Sequence, residues 1–177
     1  MPVVRRAVYP GSFNPPTVAH LAIATAAVEQ RGLDAVDLAL SKVALAKETV
    51  IRPPFDERVE VVRQSIETIE WLSVIVTDKQ LIADIADGYD VVIMGADKWE
   101  QLQDPTFYDS PDHRDTALTS LPELAIAARP PHVVPAEHLL TVDAAMLEVS
   151  STAARTERPE WMTPAARDYD ARTGAWS

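Results

Sequence analysis

Tyr9-Pro10-Gly11-Ser12-Phe13-Asn14-Pro15-Pro16-Thr17-Val18-Ala19-His20-Leu21 ends a short apolar run, Ala7-Val8-Tyr9, and leads into an Ala-rich segment of helical character. It reads as a strand, a tight turn and the start of a helix. Such a junction gathers backbone N–H groups and the positive end of a helix dipole at one point, where an anion is favoured. Thr17 and His20 lie three apart, so within a first helical turn their side chains share a face. A hydroxyl and an imidazole beside a phosphate-sized site imply phosphoryl or nucleotidyl transfer.

Outward from this turn, strands and helices alternate. Arg6–Tyr9 is expected to be a first strand and His20–Gln30 a helix closed by Gly32. Val36–Leu40 reads as a second strand, and Lys42–Pro54 as a loop whose Pro53-Pro54 pair blocks helix. Phe55–Trp71 carries Val59, Val62, Ile66 and Ile69 at helical spacing, with Asp56 as a candidate cap. Val74–Val76 is a short strand, Lys79–Ala86 a short helix stopped by Gly88, and Val91–Met94 a strongly β-prone buried strand. Gln103–Asp115 is polar, punctuated by proline, and reads as a mobile loop. Leu124–Ala128 and Leu139–Val142 follow as strands, then helices from Thr152 and over Pro164–Arg172. Alternation of this kind implies an α/β fold, a Rossmann-like doubly wound parallel sheet with ligands at the carboxyl ends of its strands. At 177 residues the chain fits a single domain, with a helical segment from about residue 152 to its end.

Composition narrows the partners. An apolar share of 47% and a charged share of 24% match a soluble globular chain. No apolar run is long enough to span a bilayer, no signal-peptide core follows Arg5-Arg6, and the absence of cysteine fits a reducing cytoplasm. A net charge of −11 argues against nucleic acid, though not against a nucleotide, for which a few cations suffice. Lys42, Lys47, Arg52 and Arg58 form such a local excess. A homo-oligomer is compatible with these properties.

A second phosphate signal lies at Val149-Ser150-Ser151-Thr152-Ala153-Ala154-Arg155. Its hydroxyls and N–H groups at a helix start, with the planar fork of Arg155, suit a polyphosphate tail. Gly95-Ala96-Asp97 directly follows the Val91–Met94 strand, where glycine permits close approach and a carboxylate accepts from a ribose hydroxyl or an adenine amine. Asp112, His113 and Asp115 read as a solvated surface, so no metal ligands are assigned. Signatures of zinc proteases, P-loop enzymes and dinucleotide oxidoreductases are all missing.

GSFNPPTVAHL resembles the signature of the nucleotidyltransferase superfamily, G-x-F-[DN]-P-x-[HT]-x-x-H, and is most similar to the nicotinamide and nicotinate mononucleotide adenylyltransferases. It is also similar to the phosphopantetheine adenylyltransferases, which ordinarily place Asp before the proline and Gly before the histidine. Asn14 and Ala19 favour the former. Val149–Arg155 resembles the second superfamily motif, I-S-S-T-x-I-R, and Gly95–Asp97 the G-A-D element that lies beside the ATP ribose and adenine. The run from Trp161 to Trp176 is similar to the closing helix of that family.

The resemblance implies transfer of AMP from ATP to the 5′-phosphate of the mononucleotide, with Mg²⁺ bridging phosphate oxygens and pyrophosphate released. It assigns His20, Thr17 and Arg155 to catalysis, and Gly11, Ser12, Phe13, Gly95, Asp97, Ser151 and Thr152 to ATP. Lys47 and Arg58 would face the phosphates, Lys42 being equally placed by spacing. The family usually carries a Trp about a dozen residues beyond G-A-D, to stack on the pyridine ring. Here that region offers Phe107 and Tyr108, with Trp99 closer to the motif. A phosphopantetheine-type transferase and a non-catalytic nucleotide sensor are the competing readings.

Overall fold

Six parallel strands form one sheet, in the order β3-β2-β1-β4-β5-β6. The structure, a computed structural model, describes residues 1–43 and 52–177. The strands are β1 Arg6–Pro10, β2 Ala35–Ser41, β3 Leu72–Thr77, β4 Val91–Gly95, β5 Glu123–Ala127 and β6 Leu139–Leu140. The helices are α1 Val18–Arg31, α2 Phe55–Ile66, α3 Ile82–Ile85, α4 Ala96–Gln103, α5 Pro111–Ser120, α6 Ala144–Leu147, α7 Ser151–Thr156 and α8 Pro164–Thr173. The order reverses between β1 and β4, and at such a switch point the chain leaves neighbouring strands in opposite directions and opens a crevice.

Strand alternation sends the two halves of the core to opposite faces of the sheet. Ala7, Tyr9, Leu38 and Ile93 pack under α1 and α2, while Val8, Ala39, Val92 and Met94 pack under α3 and α4. A third cluster sits on the outer side of α2, where Val61 meets Met162, Ala166, Tyr169 and Trp176. Helix α2 is therefore buried on two sides, and that second contact seats α8 beside the turn after β1.

Several expected elements change shape. Helix α2 stops at Ile66 rather than Trp71, because the Trp71 carbonyl accepts from Val36 N–H and draws the following residues into β3. Its cap is Pro54, with no side-chain bond from Asp56. The expected loop Gln103–Asp115 is largely helical: α4 runs through Gln103, and α5 starts at Pro111 with the Ser110 hydroxyl accepting from His113 N–H. Proline in that stretch is a helix starter, since the first turn needs no N–H from it. The strand predicted over Leu139–Val142 keeps only its first two residues.

Candidate active site

The turn after β1 is built around Phe13. Its φ of 46° is left-handed, a conformation that costs a non-glycine residue on the order of 1–3 kcal/mol. In return its ring is buried edge-on to His20, with centroids 4.8 Å apart, and to Tyr9 at 5.5 Å. Gly11 faces that ring so closely that a Cβ would come within 3.0 Å of it. The N–H of Gly11 is spent on the Ala39 carbonyl, so it gives this site shape and no donor. Helix α1 begins immediately after the turn with no acidic side chain in its first turn.

The tautomer of His20 follows from its partners. Thr17 N–H donates to Nδ1 at 2.9 Å, with the Thr17 hydroxyl 3.1 Å from the same nitrogen. A backbone N–H can only donate, so Nδ1 is the unprotonated nitrogen and Nε2 carries the hydrogen. Burial, with the charge of Arg129 added, pushes the imidazole down to about 4. At neutral pH His20 is thus an uncharged N–H donor on the cavity wall.

The same shift makes stability pH-dependent. Between pH 6.5 and about 4 the unfolded imidazole binds a proton that the folded one refuses. His20's contribution is therefore complete above pH 6.5 and is lost as pH falls through that window. The unfolding midpoint of the wild type is expected to drop more steeply over this range than that of His20→Gln, as thermal melts at several pH values will show.

The two phosphate-type segments meet in one place. A cavity of about 270 Å³ opens at the carboxyl ends of β1, β4 and β5. Tyr9 to Phe13, Thr17 and His20 line one side, Gly95, Asp97 and Lys98 another, and Ser150, Ser151 and Thr152 a third. Its volume lies near the lower edge of the range for small-ligand sites. The Ser151 hydroxyl donates to the Pro15 carbonyl at 2.9 Å, tying α7 to the turn. Arg155 does not line the cavity. Its guanidinium donates to the Asn14 carbonyl and, at 3.4 Å, to the Thr152 hydroxyl, so it joins the two segments instead of reaching into the space between them.

Gly95 and Asp97 are coupled sterically. A Cβ on residue 95 would lie 2.6 Å from Asp97 Oδ1, so the carboxylate occupies the space that glycine leaves. G95A is expected to push that carboxylate aside and to raise the substrate KM about fivefold, the equivalent of roughly one hydrogen bond of about 1 kcal/mol. The melting temperature should barely change, and steady-state kinetics beside a melt separate the two effects.

Other expected ligands, where the structure describes them, do not line this cavity. Lys47 lies outside the described residues. Arg58 is buried against the Phe55 ring at 5.3 Å, away from the cavity, and burial lowers its pKa. Phe107 and Tyr108 line a separate space of about 100 Å³ with Leu81, Ile82 and Leu102; α5 packs on α4 and carries them off the main wall. Lys98 borders both spaces.

The cavity also contains residues that motif reading passed over. Arg129 follows β5, lines the cavity and donates to the Val149 carbonyl at 3.1 Å. A cation placed just beyond a predicted parallel strand was the available signal. Tyr9 is buried on the same wall, its hydroxyl held protonated by burial and by the nearby Asp97 carboxylate.

The switch-point cavity of this doubly wound sheet joins a neutral histidine, a helix start and a hydroxyl-rich segment. The cytidylyltransferase-like family model matches residues 8–157, most of the chain, and the chain belongs to that family. A comparison with curated protein sequences finds no match. No helix among the described residues is long and apolar enough to cross a membrane.

Proposed function

We propose that the chain moves AMP from ATP to the 5′-phosphate of nicotinamide or nicotinate mononucleotide, in the formation of a dinucleotide cofactor. An oxygen of the acceptor phosphate attacks the α-phosphorus, the bond from that phosphorus to the α–β bridging oxygen breaks, and pyrophosphate departs. No covalent enzyme intermediate is required, so the protein contributes position and charge stabilisation.

The observation that carries this reading is the uncharged His20, with its hydrogen on Nε2, in the wall of a cavity shared by both phosphate-type segments. A donor of this kind strengthens its bond as charge grows on an α-phosphate oxygen. Arg129 and the Ser151–Thr152 start of α7 suit the β and γ phosphates, and Asp97 suits the nucleoside hydroxyls. Mg²⁺ would enter with the nucleotide and supply neutralising charge on its phosphates. The described residues contain no group of three or more His, Asp or Glu to hold it alone, and Asp97 is the carboxylate on the cavity wall.

Support for the pyridine acceptor comes from the resemblance of the first motif. The smaller space beyond Lys98, with Phe107 and Tyr108 in its wall, offers room for the acceptor's ring. The test is pyrophosphate release with Mg²⁺ and ATP or CTP, against nicotinamide mononucleotide, nicotinate mononucleotide and phosphopantetheine. Turnover with ATP and a pyridine mononucleotide is expected. Turnover with phosphopantetheine alone, or with CTP alone, rejects this acceptor or this donor, and ATP binding without turnover on any acceptor marks a sensor.

A further inference from the structure

Four acceptor groups of the turn after β1 are held from outside it. The Asn14 carbonyl accepts from Arg155, the Pro15 carbonyl from Ser151, the Pro16 carbonyl from Thr163 N–H at 3.0 Å, and Asn14 Oδ1 from the Trp176 indole N–H at 2.6 Å. The first two donors belong to α7. The last two lie beyond residue 157, where the family match ends. They are fixed in their turn: Trp176 is buried, its ring stands edge-on to Tyr169 at 5.5 Å, and its backbone N–H donates to Asp170 at 2.7 Å.

We propose that Trp176 is a positioning residue for His20, acting through Asn14 and Phe13. The indole bond fixes the Asn14 side chain, Arg155 fixes its carbonyl, and between them they hold Phe13 in its left-handed conformation. The Phe13 ring is the surface on which the His20 imidazole rests. A turn with an unfavourable backbone conformation needs such an outside hold, because its own residues would relax to a commoner one. The segment carrying α8 thus does more than cover α2.

This inference rests on His20 serving the reaction, so its test includes a readout that does not need turnover. Trp176→Phe keeps an aromatic ring against Tyr169 and removes the N–H donor together with part of the indole's bulk, which is why the Asn14→Ala background is needed beside it. The chain has four histidines, which allows each ring to be assigned by substitution and followed by ¹⁵N NMR. The His20 resonances are expected to move in Trp176→Phe while those of His113, His132 and His138 stay. In the transfer assay kcat is expected to fall about tenfold with the nucleotide KM unchanged, as misplacement of a catalytic group affects the transition state first. In an Asn14→Ala background the same Trp176→Phe change should have no further effect.

Unmoved His20 resonances overturn the proposal, as does a shift shared by all four histidines, or an equal loss in the Asn14→Ala background. A wild type inactive on every acceptor would reject the proposed function and leave the NMR comparison to decide this point. Should Trp176→Phe fail to fold, Asn14→Ala alone, which deletes the acceptor and leaves the indole on Tyr169, answers the same question by the same resonances.

Discussion

His20→Ala is expected to lower kcat by about 10²–10³-fold, the usual loss when one preorganised donor to a developing oxyanion is removed. The size follows from the wiring of the ring. Thr17 N–H holds Nδ1 as an acceptor, which puts the hydrogen on Nε2, and burial keeps the ring neutral, so the donor is ready in nearly every molecule at pH 7. The nucleotide KM should change far less than kcat, since the bond tightens only as charge builds at the α-phosphate. The fold should survive. Losing the ring removes edge contacts with Phe13 and Tyr9, each worth about 0.5–1.5 kcal/mol. That is a minority of the roughly 5–15 kcal/mol of a typical domain. Pyrophosphate-release kinetics beside a thermal melt check both halves, and near-wild-type turnover would remove His20 from the mechanism.

The order of elements and the anion-binding character of the two segments are readable because each rests on local chemistry, and their convergence is what the family resemblance implies. Alternating apolar runs and amphipathic helices announce a parallel sheet, and Gly11, Thr17, His20 and the Ser150–Thr152 cluster announce anion sites wherever the chain carries them. What could not be read is what depends on distant partners. Whether Arg155 points into the cavity or at the Asn14 carbonyl is decided by how α7 docks on a turn more than a hundred residues away in sequence. Arg58 looked like a free cation at the start of a helix, yet it is buried because α2 is covered on both sides. Spacing from Gly95 places Phe107 and Tyr108 near the site, but only the fold shows that they line a separate, smaller space bordered by Lys98. Proline in that region reads as a breaker, yet Pro111 begins a helix.

Arg129→Ala is expected to lower kcat/KM by roughly 10–100-fold, corresponding to the loss of a charged hydrogen bond worth about 1.5–3 kcal/mol. Arg129 stands at the carboxyl end of β5, and one guanidinium nitrogen is bound to the Val149 carbonyl, which points the planar group along the cavity wall next to Ser150 and Ser151. A phosphate oxygen placed there would meet a fork already oriented, with little entropy left to lose. The same charge acts on His20, whose pKa it helps to depress. Its removal should therefore raise the His20 pKa above about 4, part of the way to the ordinary value of 6.5, because burial, the larger cause, remains. A packing loss that admits water moves it the same way, so alanine alone does not separate the two. Arg129→Lys separates the two roles. A retained charge keeps the His20 pKa low, while the missing planar fork still weakens substrate binding. An NMR titration of His20 in both variants, read beside kcat/KM, makes the distinction. If alanine moves neither quantity, Arg129 is a strut for the Val149 carbonyl, and among the described residues of the cavity wall Lys98 and the helix starts are left to meet the phosphate charge.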